Sequence, residues 1–171
     1  MPDSGEVLTN AHCISQLGYS GGLNLHLSGT DNVVLLSRLL GIDIHSTLAL
    51  VKSIAGLGAD MDLPLKHYSP GQKSRLAYAI SFARPCDFIL ADETLGSGDT
   101  EFRAKCDAML RKQMVRAGLI FLTSNAQAAG SYCNRFFALV GGRLIACNNA
   151  GEAQDLVDLA PEHVNHEGQY A

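Results

Sequence analysis

Two carboxylates, Asp92 and Glu93, stand side by side after a short apolar run, Phe88-Ile89-Leu90-Ala91. Such a run reads as a buried strand of parallel-sheet type. The C-terminal end of such a strand is where open α/β sheets bind ligands. There the first carboxylate can hold Mg²⁺ on a nucleotide, and the second can orient or polarise an attacking water. The same pair can equally be two solvated acids that cap the next segment. Upstream, Ser69-Pro70-Gly71-Gln72 has the residues of a helix head. Ser69 suits the N-cap, and Pro70 the first helical position, where its missing N–H is no loss. A helix begun this way aims its positive end at an anion.

The elements that must position these groups follow from periodicity. Leu76, Ala79, Ile80 and Ala83 give the helix after Ser69 a core-facing side, and Pro85 ends it. The strand over 88–91 follows. Residues 100–114 form a helix with Phe102, Cys106, Met109 and Leu110 inward. Residues 118–123 form a second buried strand, and 126–133 a short helix. A hairpin joins 136–140 to 143–146 across Gly141-Gly142. Earlier, residues 31–40 are helical, capped by Thr30 or Asp31, with Val33, Leu36, Leu39 and Leu40 at helical spacing and Gly41 at the end. Residues 46–56 repeat the pattern with Leu48, Val51, Ile54 and Ala55. Residues 63–66 read as an extended connector. Strands are expected over 6–9 and near Cys13 to Leu17, and a final helix over 152–159 precedes a loose polar tail. Helices first, then strand-helix-strand-helix, indicate an α/β protein with a helical insertion.

Composition narrows the function. The 171 residues are 47% hydrophobic and 18% charged, enough for one domain with a sizeable core. Net charge is −4 and no basic tract occurs, so nucleic acid is not the expected partner. The five cysteines, Cys13, Cys86, Cys106, Cys133 and Cys147, form no Cys-x-x-Cys pair and read as reduced thiols. No secretory signal is expected at the first residues, and no apolar run approaches the roughly 20 residues that span a bilayer.

The run from Tyr68 to Asp92 has room for one helix and one strand. Tyr68-Ser69-Pro70-Gly71-Gln72, Asp87 to Glu93, and a short loop Gly96-Ser97-Gly98-Asp99 together resemble the signature, Walker B and D-loop of the ATP-binding-cassette (ABC) ATPases. Softer motifs resemble the subgroup that exports capsular and O-antigen polysaccharides. They are Ser4-Gly5-Glu6-Val7, the Gly21-Gly22 to Asn32 stretch, Tyr132-Cys133-Asn134-Arg135 and Gly141-Gly142-Arg143-Leu144. The resemblance implies a partial phosphate-loop NTPase sheet with an inserted helical subdomain. It divides the chain into a remnant of the N-terminal sheet with a Q-loop-like segment (1–20) and a helical subdomain ending in the signature helix (21–84). A stretch from Walker B to the C-terminal hairpin (85–147) and a polar tail (148–171) follow.

It also implies roles. Glu93 would be catalytic, and Asn125 would occupy the position of the family's switch His. Asp92 would meet Mg²⁺ through water. Ser69, Gly71, Gln72 and Asp99 would contact ATP held by a second subunit. The implied partners are that second nucleotide-binding subunit and a permease in the inner membrane, with the protein cytoplasmic and peripheral.

Three departures stand against the family pattern. No Gly-x-x-x-x-Gly-Lys-Ser/Thr phosphate loop occurs in these residues. Asn125 can hydrogen-bond but cannot become a cation. Pro70, where Gly or Ser is usual, removes one N–H from the phosphate-facing turn. The expectation is therefore an ATP-binding subunit of a polysaccharide exporter, truncated before the phosphate loop. The alternatives are a non-hydrolysing partner that lends its signature, or a decayed fragment. An apolar patch should remain around the sheet at Phe88, Ile89 and Ile120.

Other groups read as ordinary. His163-x-x-His166 with Glu162 and Glu167 reads as a solvated tail, and His12, His26, His45 and His67 share no ligand pattern. Ser69 and Ser124 lack an adjacent base.

Overall fold

The computed structural model describes residues 3–11, 14–18, 20–93, 95–96 and 98–159. The chain divides after Leu122 into two compact units. The first carries a parallel sheet of three strands in the order β1 (Ile14–Gln16), β2 (Phe88–Asp92) and β3 (Gly118–Leu122). Between β1 and β2 lie three helices: α1 (Gly29–Leu40), α2 (Ile44–Ala55) and α3 (Pro70–Ala83). Helix α4 (Thr100–Met114) connects β2 to β3. The parallel sheet with an inserted helical segment is the α/β architecture expected. Among the described residues no helix is long and apolar enough to cross a membrane.

The register of the sheet decides what each face does. Paired residues share a face. Ser15, Ile89, Leu119 and Ala91 fall on one side, and Ser15, Ile89 and Ala91 are buried there. Leu90, Ile120 and Leu122 fall on the other, where Ile120 is 47% and Leu122 55% exposed. The open patch is therefore Ile120 and Leu122 beside half-buried Phe88, while Ile89, expected within it, is fully buried. Strand β3, read as buried from its apolar run, is an outer strand of this sheet with alternate residues exposed. A run of Leu, Ile and Phe specifies a strand, not what covers it.

Helix α3 is the spine of the unit. It packs against α2 and α4, and Leu76, Ala77, Tyr78, Ala79, Ser81 and Phe82 are all buried. A helix buried on so much of its circumference lies inside the core rather than on it. Ser81 ties it to the sheet: its Oγ accepts from the Gly18 N–H (3.2 Å) and donates to the Ala77 carbonyl (2.9 Å).

The helical insertion departs from expectation in three places. Ser28, not Thr30 or Asp31, is the N-cap of α1, and its Oγ accepts from the Asp31 N–H (3.0 Å). The buried stripe of α1 is Gly29, Asn32, Val33 and Ser37, so Leu39 and Leu40 are exposed. Fully buried Asn32 is satisfied by the loop before the helix. It accepts from the Asn24 N–H (2.8 Å) and donates to the Ser28 carbonyl (2.8 Å). The stretch before α3 is not an extended connector throughout. It holds two 3₁₀ turns, Gly58–Asp62 and Leu65–His67, around a bridge between Pro64 and Ser28. The strand expected over 6–9 does not form; Val7 and Leu8 are 78% and 82% exposed, and among the described residues this stretch has no ladder partner.

The second unit contains α5 (Ala126–Tyr132), an antiparallel hairpin of β4 (Phe136–Val140) and β5 (Arg143–Cys147), and α6 (Ala150–Asp158). Gly141 and Gly142 both have positive φ (54° and 76°), as a two-residue hairpin loop of this twist requires. Helix α6 packs on the hairpin and on α5, with Asn149 as its N-cap. His12, Cys13, Ser97 and the residues around His163 and His166 lie outside the described residues.

Gly29 sits where α1 meets the segment before α3. A Cβ built there would lie 2.5 Å from the Tyr68 hydroxyl and 3.1 Å from the Met61 carbonyl oxygen. Gly29→Ala should therefore destabilise the first unit by about 1–3 kcal/mol, the usual cost of overpacking. Ser37 is the opposite case: its Oγ is buried without a hydrogen-bond partner. Ser37→Ala should stabilise by about 1 kcal/mol, by removing that unmet polar atom and improving helix propensity. Urea midpoints read by circular dichroism separate the two signs.

Candidate functional site

The head of α3 is built by its own sequence. Ser69 is the N-cap in extended backbone, and its Oγ accepts from the Gln72 N–H (3.2 Å). The Gln72 side chain returns the contact, its Oε1 accepting from the Ser69 N–H (2.8 Å). This is a complete capping box with Pro70 in the first turn. It consumes the Gln72 N–H. The Gly71 N–H and the hydroxyl hydrogen of exposed Ser69 are not used by it, and both lie at the positive end of a 14-residue helix.

Asp99 stands at the head of α4. Its carboxylate accepts from the Phe102 N–H (2.9 Å) as the N-cap, and the same group pairs with Arg75 of α3. The Arg75 guanidinium also lies over the Phe102 ring, 5.1 Å from its centre. The Phe102 N–H, and next the Arg75 charge, hold the Asp99 carboxyl below the usual carboxylate value. Arg75 thus joins the second turn of α3 to the loop before α4, while Ser69 and Gln72 are joined to each other by the capping box. Sequence reasoning did not single out Arg75. Its charge in an otherwise core-forming helix, two residues after Lys73, was the available signal.

Asp92 ends β2 and is exposed, and Glu93 follows it, also exposed. Glu93 has a φ of 57°, the one described non-glycine residue with positive φ. That conformation costs about 1–2 kcal/mol for an L-residue. It is fixed by the Glu93 N–H donating to the Leu122 carbonyl (2.8 Å), one step beyond the β2–β3 ladder. The outlier falls at the carboxylate the sequence marks for chemistry. Mg²⁺ on a nucleotide takes one or two carboxylates together with waters and phosphates. Asp92 supplies one, and among the described residues no three metal-binding side chains converge.

Asn125 belongs to the second unit. It caps α5, its Oδ1 accepting from the Ala128 N–H (2.9 Å), and its own N–H donates to the Thr123 hydroxyl (3.0 Å). His26, His45 and His67 are exposed. The described cysteines Cys86, Cys106, Cys133 and Cys147 are in the thiol form, and burial pushes the Cys133 thiol up.

No family model matches the chain. Curated relatives do. The polysialic acid transport ATP-binding protein KpsT of Escherichia coli is 33% identical over 135 residues, covering 78% of this chain and 62% of KpsT. The capsule polysaccharide export ATP-binding protein CtrD of Neisseria meningitidis serogroup B is 29% identical over 160 residues, 94% of this chain and 74% of CtrD. The O-antigen export system ATP-binding protein RfbB of Klebsiella pneumoniae is 27% identical over 162 residues, 92% of this chain and 65% of RfbB. The chain thus spans about three fifths of KpsT.

The Asp99 assembly predicts a titration. A carboxylate whose folded pKa is depressed contributes stability that is present above its unfolded value and lost as pH falls through the folded one. The Asp99 carboxyl carbon resonance should therefore titrate with a midpoint below the ordinary 3.8. Arg75→Ala should move the midpoint upward but not fully to 3.8, because the Phe102 N–H remains. A midpoint unchanged by Arg75→Ala would show that the pair contributes nothing in solution.

Proposed function

This chain belongs to the ABC family of ATP-binding proteins, and we propose that it acts as an ATP-binding subunit of a polysaccharide exporter, supplying the signature half of a composite ATP site. The observation that carries the reading is the capped head of α3, locked through Arg75 to Asp99. Ser69 would donate its hydroxyl hydrogen, and Gly71 its N–H, to the terminal phosphate of a nucleotide held by a second subunit. Asp99 and its loop would line the same contact. The relatives, ATP-binding proteins of polysialic acid, capsule and O-antigen export, support the cargo class. They also support a permease partner, which would place the protein on the cytoplasmic side of the inner membrane.

Of the other half of such a site, these residues hold the carboxylates. Asp92 and Glu93 are present, but these residues contain no Gly-Lys-Ser/Thr to cradle a triphosphate. Asn125, at the switch position, offers a hydrogen bond without a charge. A carboxylate pair cannot substitute for the backbone cradle and its Lys, whose preorganised charge stabilises the transferring phosphoryl group.

Two outcomes follow. The purified 171-residue chain should turn over ATP no faster than a blank, and turnover that disappears in Glu93→Gln would contradict this. Added to a phosphate-loop-bearing ABC subunit of polysaccharide export, the chain should raise that subunit's ATP turnover. Ser69→Arg should abolish the gain by filling the phosphate position, whereas Asp92→Asn should leave it nearly intact. Equal damage from both would sink the division of labour.

A further inference from the structure

The 3₁₀ turn before α3 holds an acid that no step so far has used. Asp60 grips the residues on both sides of Ser69. Its carboxylate accepts from Gln72 Nε2 (2.7 Å), and its backbone carbonyl accepts from the Tyr68 hydroxyl (2.6 Å). Tyr68 immediately precedes Ser69 and is buried. Gln72 closes the capping box on Ser69 from the other side. The turn carrying Asp60 is itself anchored. Asp62 accepts from the Thr30 hydroxyl of α1 (3.0 Å), Met61 is buried, and the Leu63 N–H donates to the Asp60 carbonyl (3.0 Å).

A primary amide such as Gln72 can turn its oxygen toward or away from the Ser69 N–H. Either end of the side chain fits the space, and only the neighbouring groups decide. An acceptor at Nε2 reinforces the orientation that leaves Oε1 for the Ser69 N–H, and it holds the amide in place. Fixing the Ser69 backbone fixes the direction of its hydroxyl. We propose that Asp60 is a positioning residue for the signature: by orienting the Gln72 amide and clamping Tyr68, it holds Ser69 in the pose that meets the partner's phosphate. This rests on the proposed function above and adds the residue that sets the geometry of that contact.

Asp60→Ala and Asp60→Asn separate this role from simple support. Asn keeps an acceptor oxygen for Gln72 Nε2, Ala does not, and both keep the backbone carbonyl for Tyr68. The assay is stimulated ATP turnover of the phosphate-loop-bearing subunit, titrated with each full-length variant. Asp60→Ala should lower the maximal stimulation about tenfold, the scale of a lost hydrogen bond to a charged group. The concentration needed for half-maximal effect should stay the same, and Asp60→Asn should recover most of the loss. Hydrogen exchange at the Ser69 amide, measured on the chain alone, should accelerate in Asp60→Ala and not in Asp60→Asn.

Maximal stimulation equal to wild type in Asp60→Ala, or equal losses in Ala and Asn, would overturn the positioning role and leave the proposed function standing. No stimulation by the unaltered chain would overturn both. If Asp60→Ala does not fold, Gln72→Met, which removes this bond together with the Ser69 N–H contact, must show at least that loss of maximal stimulation for the proposal to stand.

Discussion

The closed head of α3 is the constraint on which the first unit depends. A helix start leaves N–H groups without helical partners, and one of these is satisfied by Ser69 while the Gln72 side chain steadies the cap itself. Because the body of α3 is buried among α2, α4 and the sheet, a loose start would leave polar backbone at the edge of the core. The same start sets the direction of an exposed hydroxyl. Folding and the candidate chemistry therefore draw on one set of hydrogen bonds. Arg75 extends that set to Asp99, so the cap of α3 and the cap of α4 are mechanically linked.

The sheet beside this spine is finished on one face only. Ile89 and Ala91 are buried, and Ile120 and Leu122 are not. Burying an apolar side chain is worth about 1.5–3 kcal/mol, so the open face leaves stabilisation unrealised. Strand β2 nonetheless keeps ladder partners on both sides. The bonds from Leu17 to Leu90 and from Glu93 to Leu122 carry the pairing past the ends of the strands. The second of these bonds holds Glu93 in its uncommon backbone state. Sheet pairing thus helps set how that carboxylate is presented.

Local signals were legible in the sequence and tertiary ones were not. Ser69 with Gln72 three positions on, Pro70 in the first turn, and Gly141-Gly142 between two apolar runs each specify their structure within a few residues, and each formed. Helix α4 falls on its expected span because Asp99 and the spacing of Phe102, Cys106 and Leu110 agree. The face of α1 was misjudged because Leu recurs around the whole helix, while its buried stripe uses Gly29, Asn32 and Ser37. Their fit against Tyr68 and the preceding loop has no periodic signature. The exposure of β3 was illegible for a similar reason. The Arg75–Asp99 and Asp60–Gln72 contacts join residues 24 and 12 positions apart, and a charge in the sequence does not announce its partner.

The central claim is that the head of α3 meets a phosphate held by another subunit. The direct measurement is the amide resonances of Ser69 and Gly71 on adding ATP, with and without a phosphate-loop-bearing subunit carrying a hydrolysis-blocking substitution. Both resonances should move only when ATP and that subunit are present together. Movement with ATP alone, or no movement in the mixture while Asp92 and Glu93 shift, would contradict it.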